Sequence, residues 1–218
     1  NNNVAIGSGA LLVNTTGGNN AGVGKDALTA NTTADANTAF GYGAARDNTT
    51  GSSNVAIGYL ALEENTTGAS NVAVGFEALE ENTTASNNTA VGYASLGANT
   101  TGTRNLAAGA ASLDASTTGD DTVALGYNAL GANTTANKNT AIGSAAMETN
   151  TTGAENTAVG YSALYANTTA SNNTAVGRSA LAANTTGTDN VSVGSHSLDA
   201  NTTGSDNTAI GDNALGAN

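Results

Sequence analysis

The sequence predicts an all-β protein, a parallel β-solenoid (β-roll) of about 13 coils with a strict 17-residue repeat. Three observations carry this. One phrase, Asn156 to Asn172, begins again at Asn173 and fills the chain. Numbered 1 to 17 from Asn156, its position-5 glycine recurs from Gly7 through Gly58, Gly75 and Gly92 to Gly211, always 17 residues apart. A fixed period is the mark of units that stack on their neighbours. Finally, the chain contains 28 glycines but no Asn-Gly or Asp-Gly. Those dipeptides are the strongest hairpin signal, so their absence favours coils over a meander.

Positions 2 to 4 carry the strand signal, as in Val55-Ala56-Ile57 and Val72-Ala73-Val74. Position 4 is Val or Ile in ten of thirteen units, and β-branched residues favour strand. Positions 2 and 4 share one face and position 3 takes the other. Position 3 is Ala in eleven units. The bulky face is assigned to the coil's own core, and the small face (Ala56, Ala73, Ala90, Ala107) becomes the candidate chain–chain interface. Position 9, Leu in eleven units, marks a second apolar column. A second short strand is expected there, with position 8 facing outward. A 17-residue unit lacks room for a helix as well.

Positions 12 to 14 read Asn-Thr-Thr with one exception, Ser116. Asn and Gly tolerate left-handed backbone and mark turns. Asn at positions 1 and 12, including Asn65, Asn82 and Asn99, is expected to stack into amide ladders with its copies. Together with Gly58, Gly75 and Gly92 these form the structural ladder. Asn-Thr-Thr is formally a glycosylation acceptor, but its regular recurrence is better explained as a turn ladder.

Composition narrows the function. The chain has 218 residues, read as one repeat domain over 1–218, and no Cys or Pro. Disulfides and thiolate chemistry are thereby excluded, and a proline-free chain suits a backbone engaged in ladders. A net charge of −12 argues against nucleic acid and against anionic membrane surfaces. No run approaches the length of a membrane span. The chain ends at Asn218 in mid-unit without a polar cap, which suggests a piece of a longer fibre protein. A lone coil buries only about three aliphatics against the ordering of 17 residues, so an oligomer is expected.

Two resemblances meet at these residues. Asn54-Val55-Ala56-Ile57-Gly58 resembles the Asn-Ser-Val-Ala-Ile-Gly signature of the head repeats of trimeric autotransporter adhesins (YadA-like). That likeness implies a left-handed β-roll with three chains about one axis. Those coils are usually shorter, and this chain adds the Asn-Thr-Thr segment. The full unit, with Asn173-Thr174-Ala175-Val176-Gly177, Leu181 and Asn184-Thr185-Thr186-Gly187, is similar to repeats of phage and bacterial tail-fibre-like proteins. The likeness spans essentially the whole chain and is silent about ligand.

Candidate chemistry is sparse. His196, the one histidine, has Ser195, Ser197 and Asp199 nearby, but neighbours along one segment cannot readily form a catalytic triad. No catalytic residue, cofactor site or metal site is assigned, and an enzyme is not expected. Glu63, Glu64, Glu80 and Glu81 stack beside Arg46 and Asp47. A solvated acidic patch with an Arg46–Glu63 contact is favoured over a cation site. Tyr42, Tyr59, Phe76 and Tyr93 fill position 6 in successive coils, and Tyr127 and Tyr161 follow with gaps. This stripe is the candidate surface for glycans or a host cell surface, with a packing ladder as its rival.

The expected function is a structural or adhesive shaft or head segment of an extracellular, cell-surface or virion fibre, as a homotrimer without cofactors. An ice-binding solenoid using Thr and Asn ladders is the alternative. It is weakened because the paired threonines are adjacent and face different ways.

Overall fold

The computed structural model describes residues 2–216. Asn218, the position-12 residue of the last unit, lies outside them. The chain forms a parallel β-solenoid with one three-residue strand per coil and no helix among the described residues. It comprises two compact units, residues 1–105 and 106–218. The first holds β1 (Val4–Ile6), β2 (Ala21–Val23), β3 (Thr38–Phe40), β4 (Val55–Ile57), β5 (Val72–Val74) and β6 (Thr89–Val91). The second holds β7 (Leu106–Ala108), β8 (Val123–Leu125), β9 (Thr140–Ile142), β10 (Thr157–Val159), β11 (Thr174–Val176), β12 (Val191–Val193) and β13 (Thr208–Ile210). Within each unit, consecutive strands pair in parallel with residues 17 apart opposite one another, as Val55 with Val72 and Thr157 with Thr174.

The strand faces are the reverse of the expected assignment. Ala56, Ala73, Ala90 and Ala107 have no exposed surface within their own chain, so they cannot serve as the chain–chain interface. The β-branched residues at positions 2 and 4 point outward, and Ile57 and Val91 are 38% and 41% exposed. The reason lies in what already fills the coil. Leu62, Leu79 and Leu96 are fully buried, as are Asn65, Asn71, Asn82 and Asn88. A Cβ built on Gly22, which holds position 3 in β2, would lie 3.3 Å from the Ala27 carbonyl and 3.5 Å from Leu11 Cγ. The strand thus faces the position-8 backbone and the leucine column at a distance that admits a methyl group and little more. Interiors close to this density do not absorb extra methylenes without strain.

The second strand is also absent; residues around position 9 form turns. Leu60 and Leu62 have φ of 53° and 56°, and Glu77 and Leu79 have 53° and 55°. Left-handed residues at every second position prevent a β ladder, though L side chains adopt that region at a cost. The coils remain bonded here: Leu60 N donates to the Tyr42 carbonyl at 2.9 Å and Leu62 N to the Ala78 carbonyl at 3.0 Å. The left-handed turn aims each leucine inward. It buries position 8 as well, since Ala61, Ala78 and Ser95 are fully enclosed, which overturns the outward placement of that column.

The amide ladders form as expected, and each asparagine column has its own pattern. At position 12, Asn65 Nδ2 donates to Asn48 Oδ1 at 2.6 Å and Asn82 Nδ2 to Asn65 Oδ1 at 2.7 Å. Asn99 continues the ladder onto Asn82 Oδ1 at 3.0 Å. At position 1, Asn37 Oδ1 accepts the backbone N–H of Asn54 at 2.9 Å. Both columns meet at one carbonyl: Asn37 Nδ2 and Asn48 Nδ2 each donate to Gly51 O at 2.9 Å. Threonine extends the scheme, with Thr49 Oγ1 donating to the Thr66 carbonyl at 2.8 Å. A buried amide is tolerable only when its donors and acceptor are matched. The ladder matches them from Asn31 to Asn82 and breaks at Asn99, whose Oδ1 has no partner where Ser116 replaces the next asparagine.

Gly58 shows why position 5 does not vary. Its φ is +138°, and a Cβ there would stand 2.2 Å from the Gly75 carbonyl oxygen. The sequence pattern marks this residue as a turn; close approach of the next coil is the second constraint.

Candidate binding surface

Three surface features rest on this scaffold. The first is the strand face. Val55, Ile57, Val72, Val74 and Val91 lie side by side on β4 to β6 with their side chains outward and partly or well exposed. Its counterpart on the second unit includes Ile142 and Val191, exposed by 38% and 37%.

The second is the position-6 column, which begins one residue beyond the invariant glycine. In the first unit Tyr42, Tyr59, Phe76 and Tyr93 stack face to face, with centroid separations of 5.3, 5.1 and 5.3 Å and interplanar angles of 13°, 10° and 9°. Lys25 Nζ sits 5.1 Å from the Tyr42 ring centroid, within cation–π range. The inner rings therefore cover each other's faces and offer only edges to solvent. This part of the stripe is a packing ladder. Tyr127 and Tyr161, in the second unit, are 65% and 59% exposed and have no ring contact.

The third is the acidic patch. Arg46, Glu63 and Glu80 occupy position 10 of successive coils. Arg46 forms an ion pair with Glu63, the contact read from the sequence, and its Nε donates to Asp47 Oδ1 at 3.1 Å. Glu63 is buried, whereas Glu64 and Glu81 at position 11 are exposed. Glu80 has no arginine of its own. Burial, then the neighbouring Glu77, Glu63 and Glu64, pushes its carboxyl up to about 7. Glu77 is a member that the sequence reading missed. It sits at position 7, three residues before Glu80, where the turn folds it back toward the same column. No group of three or more metal-ligating side chains is arranged to hold an ion among the described residues.

His196 has φ of +54° at position 7, and its Nδ1 lies 3.0 Å from the neighbouring Ser195 Oγ. Ser197 turns inward instead and donates to the Ala209 carbonyl at 3.2 Å. The structure brings His196 together with Ser195 alone of its three sequence neighbours. Column-12 asparagines of the Asn-Thr-Thr segments, such as Asn65 and Asn82, are buried within the amide ladder, so a glycan on either is incompatible with this fold.

No protein-family model, no curated protein sequence and no solved structure matches this chain. No helix among the described residues is long and apolar enough to cross a membrane. The class defined by the geometry is the parallel β-solenoid repeat protein.

Proposed function

We propose that the chain is a shaft or head segment of an extracellular, cell-surface or virion fibre, built from three copies packed through their strand faces. The observation that carries this is the outward, largely aliphatic face of β4 to β6, with Ile57 and Val91 exposed by 38% and 41% on a parallel ladder in register. Contiguous apolar surface of this kind marks an association site. Small residues inside and branched ones outside give each chain a thin core, so association supplies burial that one coil lacks. Stiffness comes from the backbone, asparagine and threonine ladders that join coil to coil. The role is mechanical, holding an attachment site away from the surface that bears the fibre, and it needs no cofactor.

Sedimentation equilibrium tests the assembly. The expected mass is three times the 21.0 kDa chain. Ile57→Lys with Val91→Lys should lower it to that of one chain while the coils stay folded, because both side chains already face water. A wild-type monomer, or an unchanged trimer in the double variant, overturns the strand-face assembly. Ice binding has less support. Thr49 and Thr66 engage their hydroxyls with the next coil, so these Asn-Thr-Thr segments do not present a paired threonine array.

A further inference from the structure

Position 6 carries a gap that the fold itself measures. In the first unit Tyr59 lies between Tyr42 and Phe76, 5.3 Å and 5.1 Å from their centroids. In the second unit the same column reads Tyr127, Ser144, Tyr161. The backbone beneath is equivalent in the two. Leu60 N donates to the Tyr42 carbonyl and Glu77 N to the Tyr59 carbonyl, both at 2.9 Å. Likewise Ala145 N donates to the Tyr127 carbonyl at 2.9 Å and Ser162 N to the Ser144 carbonyl at 3.1 Å. The preceding glycines agree too, with φ of 145° at Gly41 and 136° at Gly126. Tyr127 and Tyr161 therefore stand two coil steps apart in one column, and a serine replaces the middle ring of a three-ring stack. Their exposures of 65% and 59% exceed the 46% of Tyr59 and 41% of Phe76, as expected for rings with uncovered faces.

We infer that Tyr127 and Tyr161 form a slot for a single pyranose ring of a surface carbohydrate, with Ser144 at its floor. This rests on the attachment role proposed above and names its ligand class. Two coil steps separate the tyrosines by about 10 Å. A ring inserted midway lies about 5 Å from each centroid, the spacing at which Tyr59 sits between Tyr42 and Phe76, 5.3 Å and 5.1 Å from them. A pyranose presents two C–H faces and a hydroxyl rim. Rings held as those of Tyr42, Tyr59 and Phe76 are would present two aromatic faces to it, and between the tyrosines lies a half-buried Ser144 whose hydroxyl makes no side-chain hydrogen bond among the described residues. Ser162, also half-buried, lies beside it at position 7 of the next coil.

The test is saturation-transfer NMR of the full chain with methyl β-galactopyranoside as probe, read together with the ring-proton shifts of Tyr127 and Tyr161. A Kd on the order of 1–10 mM is expected for one open slot. Ser144→Tyr should complete the three-ring stack and abolish binding, and Tyr127→Ala with Tyr161→Ala should weaken it at least tenfold. All three side chains lie at the surface, so circular dichroism should remain unchanged. No transfer to the pyranoside, or equal transfer in Ser144→Tyr, overturns the proposal. Binding of p-cresol without the pyranoside also overturns it, by assigning the slot to aryl groups. A monomeric mass in sedimentation would count against the trimeric fibre and leave this titration unaffected.

Discussion

Asn65 Nδ2 reaches Asn48 Oδ1 at 2.6 Å while donating its second hydrogen to the Gly68 carbonyl at 2.9 Å. The side chain is fully buried. Its own Oδ1 accepts from Asn82, so one amide joins three coils. Substitution by Asp is nearly isosteric but removes both donors. Asn65→Asp should therefore cost about 3 kcal/mol at neutral pH, as buried acceptors lose their partners and a carboxylate faces the Asn48 oxygen. Because protonation restores one donor, the loss should shrink at pH 4. Chemical denaturation at the two pH values measures it; equal losses at both would show that the ladder is not the cause.

Two glycines that look alike should behave differently. A Cβ on Gly58 would meet the Gly75 carbonyl oxygen at 2.2 Å, and one on Gly68 would meet the Ala85 carbonyl oxygen at the same distance. Gly58 has φ of +138°, whereas Gly68 is not in the positive region, and its column already holds Ala85 in the next coil and Ala34 two coils back. The coils can thus shift to seat a methyl at position 15. At position 5 the backbone itself is barred to L residues. Gly58→Ala should cost about 3 kcal/mol or more and Gly68→Ala about 1 kcal/mol or less. Comparable losses in thermal unfolding would place both effects in the steric contact.

Acid should stabilise the first unit through Glu80. Its carboxyl titrates near 7 in the folded chain against 4.5 as the ordinary value, pushed up first by burial and then by Glu77 and Glu63. Between those values the folded state binds the proton more tightly than the unfolded one. The contribution is therefore fully present below about 4.5 and is lost as pH rises through 7. Glu80→Gln, neutral throughout, should flatten the fall in melting temperature over this interval and leave the variant more stable than wild type at pH 8. An unchanged slope would assign the pH dependence to other carboxylates.

The repeat length, strand positions, glycine column, amide ladders and Arg46–Glu63 pair were legible in the sequence because each follows from local chemistry repeated at a fixed period. The direction of the strand was not. Alternation along Val55-Ala56-Ile57 separates two faces but does not say which is inside. That depends on what fills the coil, and buried asparagines with left-handed leucines leave space only for Ala56. The second strand failed for a related reason. Leucine rarely adopts positive φ, so nothing in Ala78-Leu79 announces a turn. The position-6 stripe read as uniform because the sequence gives order without ring orientation: Tyr42 to Tyr93 cover one another, while Tyr127 and Tyr161 stand apart.

Ser95 offers the sharpest check on the corrected interior. It is fully buried, and its Oγ has no hydrogen-bond partner. Ala takes this position in most coils, for example Ala61 and Ala78. An enclosed hydroxyl without a partner is destabilising, so Ser95→Ala should raise stability by about 1 kcal/mol. Ser95→Asp places a larger, charged group in the same enclosed space and should be as damaging as Leu96→Asp, each preventing the first unit from folding. An outward position 8 would predict the opposite, a neutral Ser95→Ala and a mild Ser95→Asp. Denaturant unfolding of the three variants decides between them, and a Ser95→Asp protein of near wild-type stability would return position 8 to the surface.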